Sequence, residues 1–427
     1  MNEGTDKHKI LIDQIRDAFR RDDAGSVRQL IALHPELKAR INDPLGPFDS
    51  PPIVNVRSQA MLDLLLEAGA DINAKSQWWA GGFGLLHGAN PDVAAYAIER
   101  GAIVDVHAAA RLGLLPRLQE LISGDPSLVH ARGGDGQTPL HFASTIPIAA
   151  YLLDHGARID ERDIDHESTP AQWMVGDRQE ICRFLVERGC STDILLASAL
   201  GNLALVGKHL DADPACIRMR VSQEFFPMIN KQAGGTIYQW TLGFYLSAHL
   251  VARKFGHEPV LELLFQRSPP ALKLIESCWL KDDAAVRSLR INHPDYAADL
   301  TEADRRQVAH AARNNEAVVV RLLLESGLPV DCKGQHQATP LHWAAFHGNT
   351  EMTKTILSYG PSLEATDADF QGTPLGWAIH GSENGWNCRA GDYAGTVEAL
   401  IQAGAEVPTE IRGSQAVREV LARHKGV

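Results

Sequence analysis

Thr339-Pro340-Leu341-His342-Trp343-Ala344-Ala345, followed by Gly348, the pair Ile356-Leu357 and Gly360, is the stretch that decides how this chain folds. Pro340 opens a helix at a position where its missing N–H costs nothing, and glycine supplies the left-handed residue that closes one. The segment reads as a turn followed by two short antiparallel helices. Such a unit cannot bury its apolar face alone and must stack on copies of itself.

The copies are present. Thr-Pro recurs at Thr138-Pro139, Thr169-Pro170, Thr339-Pro340 and Thr373-Pro374, with spacings of 31 and 34 within the two halves. An apolar pair followed by glycine recurs at Leu65-Leu66 and Gly69, Leu152-Leu153 and Gly156, Leu323-Leu324 and Gly327, and again before Gly360. Gly156 to Gly189 and Gly327 to Gly360 are each 33 residues. Degenerate copies keep the helical pair and lose Thr-Pro, as in Val106 to Pro126 and Leu195 to Pro214, and more faintly in residues 272–296 and 10–37.

This pattern resembles the ankyrin repeat over most of residues 10–407, and the resemblance implies an all-α solenoid of about twelve repeats of roughly 33 residues. It further implies a right-handed superhelix with short helices and turn fingers on the concave side. The expected organisation is N-terminal capping helices over 1–45, a first array over 46–217 and an insertion-bearing repeat over 218–268. A second array over 269–407 and a C-terminal capping helix over 408–427 complete it.

Composition narrows the function classes. Hydrophobic residues make up 44% and charged residues 22%, as in ordinary globular chains, and no apolar run reaches the length of a membrane span. The N-terminus, Met1 to Arg21, lacks the apolar stretch of a signal peptide, so a cytoplasmic location is expected. The six cysteines show no C-x-x-C spacing and read as reduced structural thiols. A formal charge of −12 argues against nucleic acid as partner. No H-E-x-x-H, G-x-x-x-x-G-K-[ST], G-x-S-x-G or strand-anchored G-x-G-x-x-G occurs, and no cofactor is indicated.

Three irregularities interrupt the repeats, and in solenoids insertions often build the site. The first, residues 218–241, carries Tyr238 and Trp240. The second, Gly381 to Tyr393, stretches the interval from Gly360 to Gly404 to 44 residues and carries Glu383, Trp386, Asp392 and Tyr393. It is expected to fold back as a loop hinged on Gly381, Gly385 and Gly391. The third, Trp78-Trp79-Ala80-Gly81-Gly82-Phe83-Gly84, places two tryptophans in a glycine-rich turn. Its glycines look like a phosphate loop, but no strand precedes them.

The resemblance also sorts individual side chains. The histidine of Thr-Pro-Leu-His is expected to hydrogen-bond within and between turns, which makes His87, His141 and His342 structural. Trp173, Trp343 and Trp377, at equivalent positions, are expected to pack as a series. Residues two to four positions before the repeat threonine, and those just before the glycine after the first helix, line the groove in this family. On this chain they are His336, Phe346 and His347, then Asp369, Phe370 and His380, with Asp177 at a groove position of the middle array.

The base expectation is a protein partner docked in the concave groove. The alternative is a small-molecule binder or an enzyme, a hydrolase or lyase acting on a polar or sugar-like compound. There His347, His380, Asp392 and Glu383 would carry acid–base chemistry and His336, Phe346, Asp369, Trp386, Tyr393, Trp240, Tyr238, Asp177, Trp78 and Trp79 would bind. A metal shared by His336, His347 and His380 is not expected, because adjacent repeats set about 10 Å apart are too widely spaced.

Overall fold

In the computed structural model, which describes residues 3–425 and the side chains of residues 10–425, the deciding stretch folds as two antiparallel helices. Helix Pro340–Phe346 starts after the N-cap Thr339, and helix Thr350–Leu357 after Asn349, whose side chain accepts from the Met352 N–H at 3.0 Å. Gly348 (φ 61°) takes the left-handed turn between them. Leu341, Ala344, Ala345, Met352 and Ile356 are fully buried, so the pair is held by packing rather than by helix propensity.

The degenerate copies adopt the same geometry with different residues. The left-handed position before the second helix, held by Gly113, Gly201 and Gly348, is held by Asp22 (φ 53°), Lys281 (φ 59°) and Asn315 (φ 59°) elsewhere. Ten-residue second helices include Ala24–Leu33, Leu115–Gly124, Leu203–Ala212 and Asp283–Asn292 in four of the degenerate copies. Each is followed by a turn that proline starts: Pro35–Arg40, Pro126–His130, Pro214–Arg218 and Pro294–Asp299. Proline fits there because its fixed φ suits a first helical position.

Among the described residues there is no strand, only isolated bridges between Gly46 and Ser50 and between Lys75 and Gly84. No described helix is long and apolar enough to cross a membrane. The chain forms two compact units, Met1–Leu200 with Arg220–Phe244, and Gly201–Met219 with Tyr245–Val427. In the first unit, Leu11 and Ile15 of the N-terminal helix bury against Val27, Ile31, Leu62 and Leu65. In the second, one core runs from Leu274 through Leu323 and Leu341 to Val397, and Val417, Val420 and Leu421 of helix Gln415–Lys425 close it.

Buried histidines tie two of the fingers to the next. The Thr138 N–H donates to His141 Nδ1 (3.1 Å), which fixes the proton on Nε2, and Nε2 donates to the Ser168 carbonyl (3.2 Å). His342 makes the equivalent pair with Thr339 (3.2 Å) and Gly372 (3.0 Å). In the next repeat Gln172 stands at this position, its Oε1 accepting from the Thr169 N–H at 2.9 Å. Burial drives the pKa of His141 down to about 3 and lowers that of His342.

Two stability predictions result. Leu341→Ala should cost about 2–5 kcal/mol by opening a cavity, whereas the exposed Lys354→Ala should change little; equal urea midpoints would contradict the packing. His141 is neutral when folded but binds a proton below pH 6.5 when unfolded, so its contribution is complete above 6.5 and declines as pH falls toward 3. His141→Gln, which follows the chain's own Gln172, should therefore reduce the loss of stability between pH 6 and 4 by about 1.4 kcal/mol per pH unit. Parallel stability–pH curves for the two proteins would exclude this.

Candidate functional site

The tips of neighbouring fingers meet through one repeated geometry. Asp135, three residues before Thr138, is left-handed (φ 55°, ψ 13°), and its carbonyl accepts from the Ile164 N–H (2.9 Å) and the Asp165 N–H (3.1 Å) of the next finger. His336, three residues before Thr339, has the same conformation (φ 61°, ψ 14°), and its carbonyl accepts from the Ala368 N–H at 2.8 Å. Side chains three before one threonine and four before the next are thereby set side by side. In the second unit these are His336 and Asp369, paired at 2.5 Å. In the first they are Asp135 and Asp165, with His166 alongside.

The first-unit group is buried. Asp135, Asp163, Asp165 and His166 are each less than a tenth exposed. The insertion covers them: Gly234 N–H donates to Asp165 Oδ1 (3.1 Å), His166 Nδ1 donates to the Gly235 carbonyl (2.7 Å), and Glu167 accepts from the N–H groups of Ile229 (2.9 Å) and Asn230 (2.7 Å). Asp163 braces its own finger, accepting from Ser168 N–H (2.6 Å) and His166 N–H (3.0 Å). His166 Nε2 faces Asp165 Oδ2 at 3.6 Å and Asp135 Oδ2 at 4.0 Å. Burial raises the carboxyls of Asp135 and Asp163, each to about 6.

The Trp78 turn closes over this group. Trp78 stands edge-on to Phe48 at 5.2 Å, and its indole N–H lies toward Asp135 without closing a hydrogen bond. A Cβ on Gly81 (φ 142°) would fall 2.1 Å from the Gly133 carbonyl oxygen, and one on Gly134 would fall 2.2 Å from the Phe83 ring. The glycines of the two turns thus permit close interlocking, which is a packing role.

The second unit presents aromatic surface instead. Trp343 and Trp377 pack edge-on at 5.0 Å and are buried, with Phe346 5.8 Å from Trp377 and 5.3 Å from Trp386. Trp386 is 61% exposed and Phe370 is 70% exposed. The Arg313 guanidinium lies 5.1 Å from the Trp386 ring centroid and 5.8 Å from that of Trp343, within cation–π range.

Several expected site residues are placed otherwise. Helix Pro374–Asn384 runs straight through Gly381 and Glu383, so the second insertion begins as helix, and neither Gly381, Gly385 nor Gly391 is left-handed. A Cβ at these three would meet the Phe346 carbonyl (2.6 Å), the Gly381 carbonyl (2.6 Å) and the His347 carbonyl (2.5 Å). They give clearance around Tyr393, which is buried and donates to the Phe346 carbonyl at 2.9 Å, and so it is a packing residue. His347 is buried too: Nε2 donates to the Arg313 carbonyl (2.8 Å), Nδ1 accepts from Asn387 (3.0 Å), and burial lowers its pKa.

Asp392 caps helix Tyr393–Gln402, accepting from Gly395 N–H (2.8 Å) and from the Thr350 hydroxyl (2.9 Å). His380 and Glu383 turn to a shallow cleft with Pro408, Thr409 and Gly413, and Glu383 lies 3.9 Å from Arg418. Of the four acid–base candidates only His380 and Glu383 are brought together; His347 and Asp392 are engaged elsewhere. Tyr238 is fully buried with its hydroxyl on Asp193 (2.9 Å), and Trp173 packs on His166 (5.3 Å) rather than extending the Trp343–Trp377 pair. Trp240 (65% exposed), Trp79 and Asp177 lie at the surface, Asp177 beside Arg178 at 3.5 Å. Asp135, Asp165 and His166 escaped the sequence reading, although the rule that selects His336, Asp369 and Phe370, applied at Thr138 and Thr169, points to them.

A family model described as ankyrin repeats in three copies matches residues 106–195, 248–367 and 309–410, together more than half of the chain. The chain is 35% identical over 57 residues to a putative ankyrin repeat protein of fowlpox virus, covering 13% of this chain and 8% of that one. It is 32% identical over 114 residues to a palmitoyltransferase of Drosophila melanogaster (26% of this chain, 15% of that one). It is 26% identical over 145 residues to a putative E3 ubiquitin-protein ligase of Arabidopsis thaliana (34% and 30%). The chain thus spans less than a third of each of these curated relatives.

The placement of Asp392 is testable by stability alone. Asp392→Ala should cost about 0.5–2 kcal/mol, as loss of an N-cap does, and Asp392→Asn should recover most of it. A urea midpoint unchanged in Asp392→Ala would contradict the capping role.

Proposed function

Because this chain belongs to the ankyrin-repeat family, we propose that it is a binding protein that docks a protein partner on its finger and inner-helix surface. The observation that carries this reading is the exposed aromatic ledge of the second unit, Phe370 and Trp386 standing on Phe346, Trp343 and Trp377 beside Arg313. Aromatic residues and arginine over a well-packed base are the composition of binding hot spots, and large aromatic side chains left in water mark contact surfaces. The partner fitted to it is a polypeptide segment with an apolar or aromatic anchor. The net charge of −12 speaks against nucleic acid.

A hydrolase or lyase pocket has weaker support, since only His380 and Glu383 share a cleft, while His347 is buried on the Arg313 carbonyl and Asp392 is spent as a helix cap. Transfer or ligase activity of the relatives is not carried over, given how little of them the chain spans. A cytoplasmic location is part of the proposal and is supported by the six cysteines, all free thiols. Helices at residues 3–20 and 415–425 are assigned as caps of the array, in keeping with the apolar faces they cover.

The test is cross-linking capture from native extract with wild type, the Trp386→Ala/Phe370→Ala double variant and Trp240→Ala. A partner held by wild type and Trp240→Ala should bind the double variant at least about 30-fold more weakly, at an unchanged melting temperature. Equal capture by all three would move the docking surface elsewhere.

A further inference from the structure

We propose that Asp135, Asp165 and His166 form a binding site for a divalent first-row transition-metal ion, a site that staples two fingers and the 218–241 insertion together. Their donor atoms lie within 4.8 Å of one another, with His166 Nε2 3.6 Å from one carboxylate and 4.0 Å from the other. Those gaps are too long for hydrogen bonds. They suit donors sharing an ion, since two ligands each about 2.1 Å from a tetrahedral centre stand about 3.4 Å apart.

Three further observations point to a ligand. His166 Nδ1 donates to the Gly235 carbonyl, so the proton of a neutral ring is on Nδ1 and the Nε2 lone pair faces the carboxylates. That is the orientation a backbone carbonyl behind the ring imposes on a metal-binding histidine. Asp135 Oδ1 closes no hydrogen bond in a residue only 6% exposed, the Trp78 indole N–H being the one protein donor directed toward this carboxylate. Finally, the second unit supplies an internal comparison. There the same backbone geometry sets an imidazole against a carboxylate, His336 with Asp369 at 2.5 Å, and the pair satisfies itself. In the first unit the equivalent places hold two carboxylates, which repel until a cation lies between them.

A neighbouring triad within the same reach, His87, Asp105 and His107, is already closed. His87 Nδ1 accepts from the Gly84 N–H (3.2 Å), His87 Nε2 and Lys75 Nζ both lie 3.1 Å from Asp105, and His107 Nε2 donates to the Ala131 carbonyl (3.0 Å). The Lys75 ammonium repels a second cation. One imidazole with two carboxylates selects a zinc- or manganese-like ion over calcium or magnesium, which favour all-oxygen sites.

The experiment titrates chelator-stripped full-length protein with Co2+, read by visible absorption, and with Zn2+, read by calorimetry. Wild type should take up one equivalent of either ion and melt at a higher temperature when loaded. Asp135→Asn, which keeps a residue tolerant of the left-handed conformation, and His166→Gln should bind at least about 100-fold more weakly, while Asp105→Asn binds as wild type does. X-ray absorption of Zn2+-loaded wild type, which needs no variant, should give a shell of nitrogen and oxygen alone at about 2.0–2.2 Å. No stoichiometric uptake, undiminished binding by Asp135→Asn and His166→Gln, binding lost in Asp105→Asn, or a sulfur shell at about 2.3 Å would each overturn the assignment.

Discussion

One backbone contact fixes the relation between neighbouring repeats at both sites: the carbonyl of a left-handed finger residue held by the next finger's N–H. Asp135 makes it to Ile164 and Asp165, and His336 makes it to Ala368. Apolar burial of the inner helices holds repeats together but is non-directional, and by itself it leaves the orientation of the finger tips free. The finger contact, reinforced by His141 and His342 reaching the next finger's carbonyls, removes that freedom. Side chains at fixed offsets from the repeat threonine are then brought into register without any further adjustment.

The same offset produces different chemistry according to how burial balances against hydrogen bonding. Asp163 and Asp367 stand six residues before their threonines, and each braces a finger by accepting backbone N–H groups. Burial works to raise both. At Asp367 the hydrogen bonds from Phe370, Trp377, Gly372 and Asp369 outweigh it and hold the carboxyl below its ordinary value. At Asp163, beside two more carboxyls, burial outweighs the hydrogen bonds from Ser168 and His166 and the group rises to about 6. Fold position alone therefore does not set the direction in which the carboxyl shifts.

This explains what could be read from the chain. The repeat was legible because Thr-Pro and glycine punctuate it for steric reasons that act within a few residues. It remained legible where Asp22, Lys281 and Asn315 replace glycine only through the apolar pattern around them. The glycines of 381–391 misled, since a glycine signals either a left-handed φ or a close approach, and only the surrounding atoms distinguish the two. Here the approach is that of Tyr393 and the carbonyls of Phe346, Gly381 and His347. Asp135, Asp165 and His166 were hidden for a different reason. Gly235, which orients His166, lies 69 residues downstream, and no local pattern reports a contact of that range.

The two units consequently put the same finger positions to opposed uses. In the first, the tips are roofed by the Trp78 turn and by Gly234 and Gly235, so their polar atoms can serve only each other or a small ion. In the second, Phe370 and Trp386 remain in water above a buried tryptophan pair, which favours a partner large enough to cover rings. A solenoid accommodates both because each repeat's stability comes chiefly from its neighbours. Charge concentrated at one finger pair, or apolar surface exposed at another, is then a local cost that the rest of the array offsets.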